Sequence, residues 1–305
     1  MREYKVDVII PTLGPGEKFH KLMQMLGRQT YPIERILIMN TEKSLFPDQG
    51  YGKLPGAEVR HLSREEFDHG GTRDRAASLC DGELLLFMTQ DAVPLDTYLI
   101  ERLVAAFADP DVAASYARQL PDGDCGVVEQ YTRRFNYPDR SSVKSKEDLP
   151  VYGIKTFFCS NVCAMYRKSV YDRLGGFEKH TIFNEDMIFA GKIIQDGGSI
   201  AYVAEAQVIH SHNYGNMEQL RRNFDLAVSQ AQHPEIFSMA KSESEGMKLV
   251  KQTAAYLVKK RRPWLIAGLI VKSGFKLIGY RLGKTYKKLP RWLIMKLTMN
   301  RAYWK

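Results

Sequence analysis

The sequence predicts an α/β fold, a mostly parallel sheet with helices on both faces, followed by a basic helical C-terminal tail. Two observations carry the sheet. Short apolar or β-branched runs at Val6–Ile10, Ile36–Met39, Glu58–Leu62 and Leu84–Met88 alternate with segments of helical periodicity. Such alternation builds parallel pairs, because each crossover helix returns the chain to the same end of the sheet. A third observation sets the tail apart. Gly246–Lys305 holds sixteen of the 44 Lys and Arg and no acidic residue, which leaves 28 basic against 35 acidic groups elsewhere, a net −7. At 305 residues, 44% hydrophobic and 26% charged, the chain can bury a substantial core and is neither disordered nor fibrous.

In chain order, Val6–Ile10 reads as a buried strand that meets a loop at Pro11-Thr12. Phe19, Leu22, Met23 and Leu26 then recur at helical spacing over Glu17–Arg28, and Tyr31-Pro32 ends that run. Ile36–Met39 ends at Asn40-Thr41, and a helix is expected from Gly70-Gly71 to about Cys80. Leu84–Met88 is fully apolar and stops at Thr89-Gln90-Asp91. Ser115–Val151, rich in Tyr, Arg, Asp and Pro, reads as a long excursion over the site. A Gly175-Gly176-Phe177 turn, a helix at Met187–Ile194 and strands at Ile200–Val203 and Gln207–Ile209 follow. In open parallel sheets ligands bind at the carboxyl ends of strands. That rule points to Pro11-Thr12, Asn40-Thr41 and Gln90-Asp91 before any chemistry is considered.

Cys80, Cys125, Cys159 and Cys163 are too few for a disulfide scaffold, and the C-x3-C pair has no companion at zinc-finger spacing. No run of eighteen apolar residues exists, since Trp264–Tyr280 is interrupted by Lys272 and Lys276. No secretory leader is expected, and the body should be soluble and cytoplasmic. The charge asymmetry argues against a nucleic-acid binder, and the tail carries too many apolar residues for a solvated basic arm. Short amphipathic helices, split at Pro263 and Pro290, fit a tail that lies on the inner membrane surface; packing on the acidic body or on a second subunit of a homo-oligomer is the alternative.

Asp91 ends an apolar strand, where it reads either as a solvated turn residue or as a ligand for a hard cation such as Mg²⁺ or Mn²⁺. Glu185-Asp186 stands before a helical run, so it either complements the helix dipole or supplies a general base. His210 and His212 alternate along an extended segment and face the same way, as structural histidines or as metal ligands. Gly70-Gly71-Thr72-Arg73 joins flexible backbone to a cation at a helix start, which suits a routine turn or a phosphate.

Together, Val-Asp-Val-Ile-Ile-Pro-Thr at 6–12, Gln-Thr-Tyr-Pro at 29–32, Gln-Asp at 90–91 and Asn-Glu-Asp at 184–186 resemble the inverting family-2 glycosyltransferases. More narrowly, Phe67–Arg73, Thr89–Ala92, Phe158–Val162, Asn184–Met187 and His210–Tyr214 look like bacterial rhamnosyltransferases. The resemblance covers about residues 5–235. It implies a Rossmann-like GT-A domain over 1–236, with a nucleotide-sugar part to about 115 and an acceptor part from 116, followed by the tail at 237–305. It further implies that Pro11, Thr12, Asn40, Arg73, Gln90, Asp91 and Asn161 line the nucleotide-sugar site. Asp186 would be the base beside Glu185, and Asp91 would hold the metal with His212 or His210. Asn40 stands where many relatives have aspartate, and Asp91 lacks the acidic neighbours of a full D-x-D element. The implied donor is dTDP-β-L-rhamnose and the implied acceptor a growing, lipid-linked surface glycan. A sugar-nucleotide nucleotidyltransferase is the nearest rival, but only Leu13-Gly14-Pro15-Gly16, with no arginine, follows the first strand.

Overall fold

Side chains of β1 (Val6–Leu13) alternate between two cores, with Val6, Val8 and Ile10 facing one and Ile9 the other. β4 (Leu84–Met88) repeats the pattern: Leu84, Leu86 and Met88 enter the first core, and Leu85 and Phe87 the second. A strand buried on both faces needs helices on both, and the chain supplies them. α1 (Glu17–Leu26) and α3 (Leu99–Ala105) cover one face, while α2 (His69–Ala77) and α7 (Glu185–Gln195) cover the other. The computed structural model describes residues 3–47, 50–51, 54–239 and 243–304.

The remaining strands are β2 (Arg35–Thr41), β3 (Ala57–Leu62), β5 (Val93–Pro94), β6 (Val112–Leu120), β7 (Ser142–Lys144), β8 (Cys163–Arg167) and β9 (Ser199–Ile209). The sheet runs β3-β2-β1-β4-β8-β6-β9-β5, with β7 paired to β9. β3, β2, β1 and β4 are all parallel, as the alternation predicts. β8 then runs antiparallel to both β4 and β6, and β6 and β9 are parallel again, so the second half is mixed. This order sets the carboxyl ends of β1, β2 and β4 side by side.

Two local expectations change. α2 begins at His69, ahead of the glycine pair, because Asp68 caps it by accepting from Gly71 N at 2.5 Å. Gly70 then lies against the 178 carbonyl, where a Cβ would come within 1.8 Å of the oxygen. The segment from Ser115 is no excursion at first: β6 is a central buried strand, and α4 (Val127–Asn136) follows it. Ser115, Arg118 and Gln119 masked the strand pattern. The two strands expected at 200–209 are one, β9, whose register against β6 slips between Val203 and Gln207.

The helical elements still to be placed are α5 (Leu149–Tyr152), α6 (Lys168–Arg173), α8 (Asn216–Gln232), α9 (Pro234–Phe237), α10 (Glu243–Lys259), α11 (Leu265–Lys284) and α12 (Arg291–Leu297). α11 lies along α8 at close range. A Cβ on Gly279 would meet the Leu220 carbonyl oxygen at 2.1 Å, and one on Gly283 the Phe224 oxygen at 2.3 Å. Leu220, Phe224 and Val228 of α8 bury against Ile294 and Leu297 of α12. Asp225 accepts from Thr298 Oγ1 at 2.7 Å and from Met299 N at 2.8 Å. The basic segment is therefore packed on the body along one side. Among the described residues no helix is long and apolar enough to cross a membrane. Lys305, one of the sixteen tail cations, lies outside the described residues.

Candidate active site

Asp91 follows β4, and His210 and His212 follow β9. The Asp91 carboxylate lies 3.5 Å from His210 Nε2 and 3.4 Å from His212 Nε2. Among the described residues these three form the one cluster with ligand atoms within 4.8 Å of one another. Protonation decides what the cluster can do. His210 Nδ1 lies 3.0 Å from Gln119 Oε1, which already accepts from the Arg133 guanidinium at 2.5 Å. That oxygen can only accept, so Nδ1 carries the hydrogen and Nε2 presents a lone pair. Burial pushes His210 down to about 3, so the ring stays neutral. A lone pair therefore faces a carboxylate oxygen, an arrangement that a divalent cation between them would satisfy. Two imidazoles and one carboxylate fit a metal ion.

The second group opens α7. Asn184 takes the left-handed conformation (φ 64°), which asparagine tolerates, and its amide holds the Leu226 carbonyl of α8 at 3.2 Å. That turn presents Glu185 and Asp186 to the loop after residue 158. Asn161 ties both carboxyls, its backbone N–H donating to Asp186 Oδ2 at 3.2 Å and its amide to Glu185 Oε1 at 3.4 Å. Tyr166 OH fixes Asn161 in turn by donating to its Oδ1 at 2.9 Å. Burial opposes ionisation of Glu185, but the Arg73 guanidinium at 3.3 Å, with His69 nearby, outweighs it and holds that carboxyl below the usual range. Burial, and then the Glu185 charge, push Asp186 up to about 7. One acid is a fixed anion and its neighbour exchanges a proton near neutrality. Asp186 remains partly accessible.

The two groups are linked: Gln119 Nε2 donates to Ser160 Oγ at 3.2 Å, next to Asn161, while its oxygen holds His210. Thr89 N also donates to the Val162 carbonyl at 3.2 Å, joining the end of β4 to the same loop. Pro11 and Thr12 end β1 beside β2, in register with Met39 and Asn40. Three of the side chains expected at the nucleotide already hold protein partners. Asn40 is fully buried, with its oxygen accepting from Thr12 Oγ1 at 3.1 Å and its amide turned to Glu42 O and His61. Arg73 is buried on the His69 carbonyl and Glu185, an acid whose charge it holds in place. Gln90 clamps Leu13, accepting from its N–H at 2.8 Å and donating to its carbonyl at 3.2 Å. Gln119 and Arg133 went unnoticed because the strand and helix carrying them were read as excursion. A polar residue at a strand end beside a histidine segment was the available signal.

The site thus combines a parallel half-sheet, a carboxylate–imidazole cluster at its strand ends and an acid pair beyond, an arrangement suited to a transferase. The chain belongs to glycosyl transferase family 2, whose model matches residues 7–175. It is 37% identical over 302 residues to the O-antigen chain rhamnosyltransferase RfbN of Salmonella typhimurium, covering 98% of this chain and 96% of that one. It is 36% identical over 300 residues to the O-antigen chain rhamnosyltransferase WbaN of Salmonella anatum, covering 97% and 95%. Among solved structures, the fold resembles the mannosyltransferase PcManGT of Pyrobaculum calidifontis, in complex with GDP-Man and Mn²⁺. There the TM-score is 0.62 at 14% identity, over 94% of this chain and 89% of that one. S. aureus TarS 1–349 in complex with UDP-GlcNAc follows at 0.55 and 16%, over 93% and 91%. The expected GT-A architecture is therefore present, and the chain is a glycosyltransferase.

Proposed function

We propose that the chain transfers L-rhamnose from dTDP-β-L-rhamnose to a hydroxyl of a growing, lipid-linked surface polysaccharide, with inversion. One observation carries the sugar and the pathway: identity to two O-antigen rhamnosyltransferases along almost the whole chain. The geometry supports the chemistry. Asp186, raised in pKa and partly accessible, accepts the proton of the acceptor hydroxyl. The freed oxygen attacks the anomeric carbon from the face opposite the diphosphate, and the bonding pair of the broken C–O bond leaves with the diphosphate. Glu185 stays anionic and keeps Asp186 basic, while Asn161 aligns both. Asp91, His210 and His212 would hold a divalent cation, Mg²⁺ or Mn²⁺, which supplies Lewis-acid stabilisation of the departing diphosphate. The two imidazoles favour Mn²⁺.

Incubation with a panel of dTDP-, UDP- and GDP-sugars, with and without lipid-linked acceptor, tests the assignment. Acceptor-dependent dTDP release from dTDP-rhamnose, with an α-linked product, is expected. Efficient use of a different donor in its place overturns it. The reading also sets the enzyme on the inner face of the cytoplasmic membrane. Trp264, Ile270, Val271, Ile278 and Trp292 are each at least half exposed on the C-terminal helices, among cations and no acid. Basic amphipathic surfaces of this kind bind anionic bilayers. We further assign the segment from about 237 onward as a helical unit docked on α8.

A further inference from the structure

Arg222 lies on α8, and its guanidinium carbon stands 4.6 Å from the Phe183 ring and 5.6 Å from the Tyr214 ring. Tyr214 in turn packs on His212, ring centres 5.0 Å apart, and His212 faces Asp91. Two rings thus fix this cation one side chain from the Asp91–His210–His212 cluster. No carboxylate of the described residues pairs with it. Asp225, one turn along α8, is buried and taken by Thr298 and Met299. Lys276 lies on α11, one turn before Gly279, which abuts the Leu220 carbonyl of α8; burial and then the neighbouring Lys272 push the lysine down, with the Arg222 charge adding to the effect. Glu129, whose charge acts on that lysine, is already paired with Arg133 at 2.9 Å. Like charges on two packed helices, with no ion pair of their own among the described residues, suit an anionic ligand.

Charge balance identifies the anion. With neutral imidazoles, a divalent ion on Asp91 leaves the cluster at one positive charge. A departing nucleoside diphosphate carries more negative charge than this, so further cations would stabilise it. A guanidinium also matches two phosphate oxygens with its planar fork.

We propose that Arg222, backed by Lys276 from the C-terminal helices, binds the nucleotide's diphosphate and takes up the charge it gains on leaving. When the anomeric C–O bond breaks, the electron pair stays on the terminal phosphate oxygen, which Arg222 faces. The proton released by the acceptor is on Asp186. This assignment rests on the proposed transfer reaction but does not depend on which sugar is moved. It makes α11 part of the wall of the active centre.

The test uses the full-length protein with Mn²⁺ and three probes in calorimetry: inorganic diphosphate, dTDP and a short polyprenyl diphosphate. Arg222→Met keeps an apolar stem between the two rings and removes the charge; Arg222→Lys keeps charge without the fork. Arg222→Met should bind Mn²⁺ alone as the parent does, yet bind inorganic diphosphate and dTDP at least tenfold more weakly. Its kcat should fall more than its KM for the donor rises, and Arg222→Lys should recover part of the loss. Lys276→Gln should show a smaller loss of the same kind. Parent-like diphosphate and dTDP binding by Arg222→Met overturns the proposal, as does a loss confined to the polyprenyl probe. Inorganic diphosphate carries neither sugar nor base, so an error in the donor sugar leaves this outcome readable.

Discussion

Asp186 combines an accessible carboxyl with a pKa near 7, set by burial and then by Glu185. Asp186→Asn should leave donor binding intact and lower turnover by roughly 10²–10⁴-fold, the usual yield of a positioned base. The rate of the parent should rise with pH through about 7 as this group loses its proton. Stability runs the other way. The folded state holds the Asp186 proton more tightly than the unfolded chain, so stability falls as pH rises from about 4 to 7. Asp186→Asn removes that penalty, on the order of 1–4 kcal/mol, and should melt higher than the parent above pH 7 but not below pH 4. A mutant that loses its fold instead would make Asp186 a structural cap. Asp91→Ala should abolish tight Mn²⁺ binding in calorimetry and make the donor's affinity insensitive to EDTA. The sequence exposed both acids and both histidines because carboxylates and imidazoles at strand ends are poorly explained by packing. It did not show the protein partners of Asn40, Arg73 and Gln90, because composition does not reveal that a polar side chain is already engaged, here by Thr12, Glu185 and Leu13. Arg222 escaped because a single arginine in an amphipathic helix looks like a solvated face.

At the scale of elements, the parallel strands were legible from their apolar runs and the turns that end them. β6 was not, since its polar residues serve neighbours from other parts of the chain: Ser115 bonds the Leu103 carbonyl and Gln119 reaches His210. The contact of α11 with α8 was equally hidden, because glycines four apart in a helix signal close approach only once the partner is known. Gly279 and Gly283 permit that approach. Gly279→Val should force the helices apart and cost about 1–3 kcal/mol, as overpacking does, read as a lower thermal midpoint. If Lys276 acts as assigned, dTDP binding should weaken with it. An unchanged midpoint would show that the two helices are not seated this closely.

Across the whole molecule, an acidic body and a cationic C-terminal segment make a charge dipole that a lipid surface would orient. Each Lys or Arg near an anionic bilayer contributes about 1 kcal/mol, so five of the sixteen would give ~5 kcal/mol of attraction. Binding to phosphatidylglycerol-containing vesicles should be strong at low salt and weak at 0.5 M. Replacing the exposed run Lys259, Lys260, Arg261 and Arg262 by glutamine should release the protein and depress transfer to lipid-linked acceptors more than donor hydrolysis. Failure of the parent to bind such vesicles at low salt would leave the segment an assembly element. Point replacement is the right tool here. Deleting the segment would also uncover Leu220, Phe224 and Val228, and the resulting loss would report on the core of the body.

The bond from Asp225 to Thr298 and Met299 has a further consequence for how the protein is made. The apolar side of α8 is closed by residues some seventy positions later. During synthesis α8 must wait, uncovered, until residues 294–299 have been made. A ribosome that stops early would release a product with its sheet complete and an oily helix face open to other chains. Such species aggregate or are degraded. Nonsense or frameshift lesions between codons 233 and 294 should therefore behave as losses of folded protein rather than as enzymes that have merely come off the membrane.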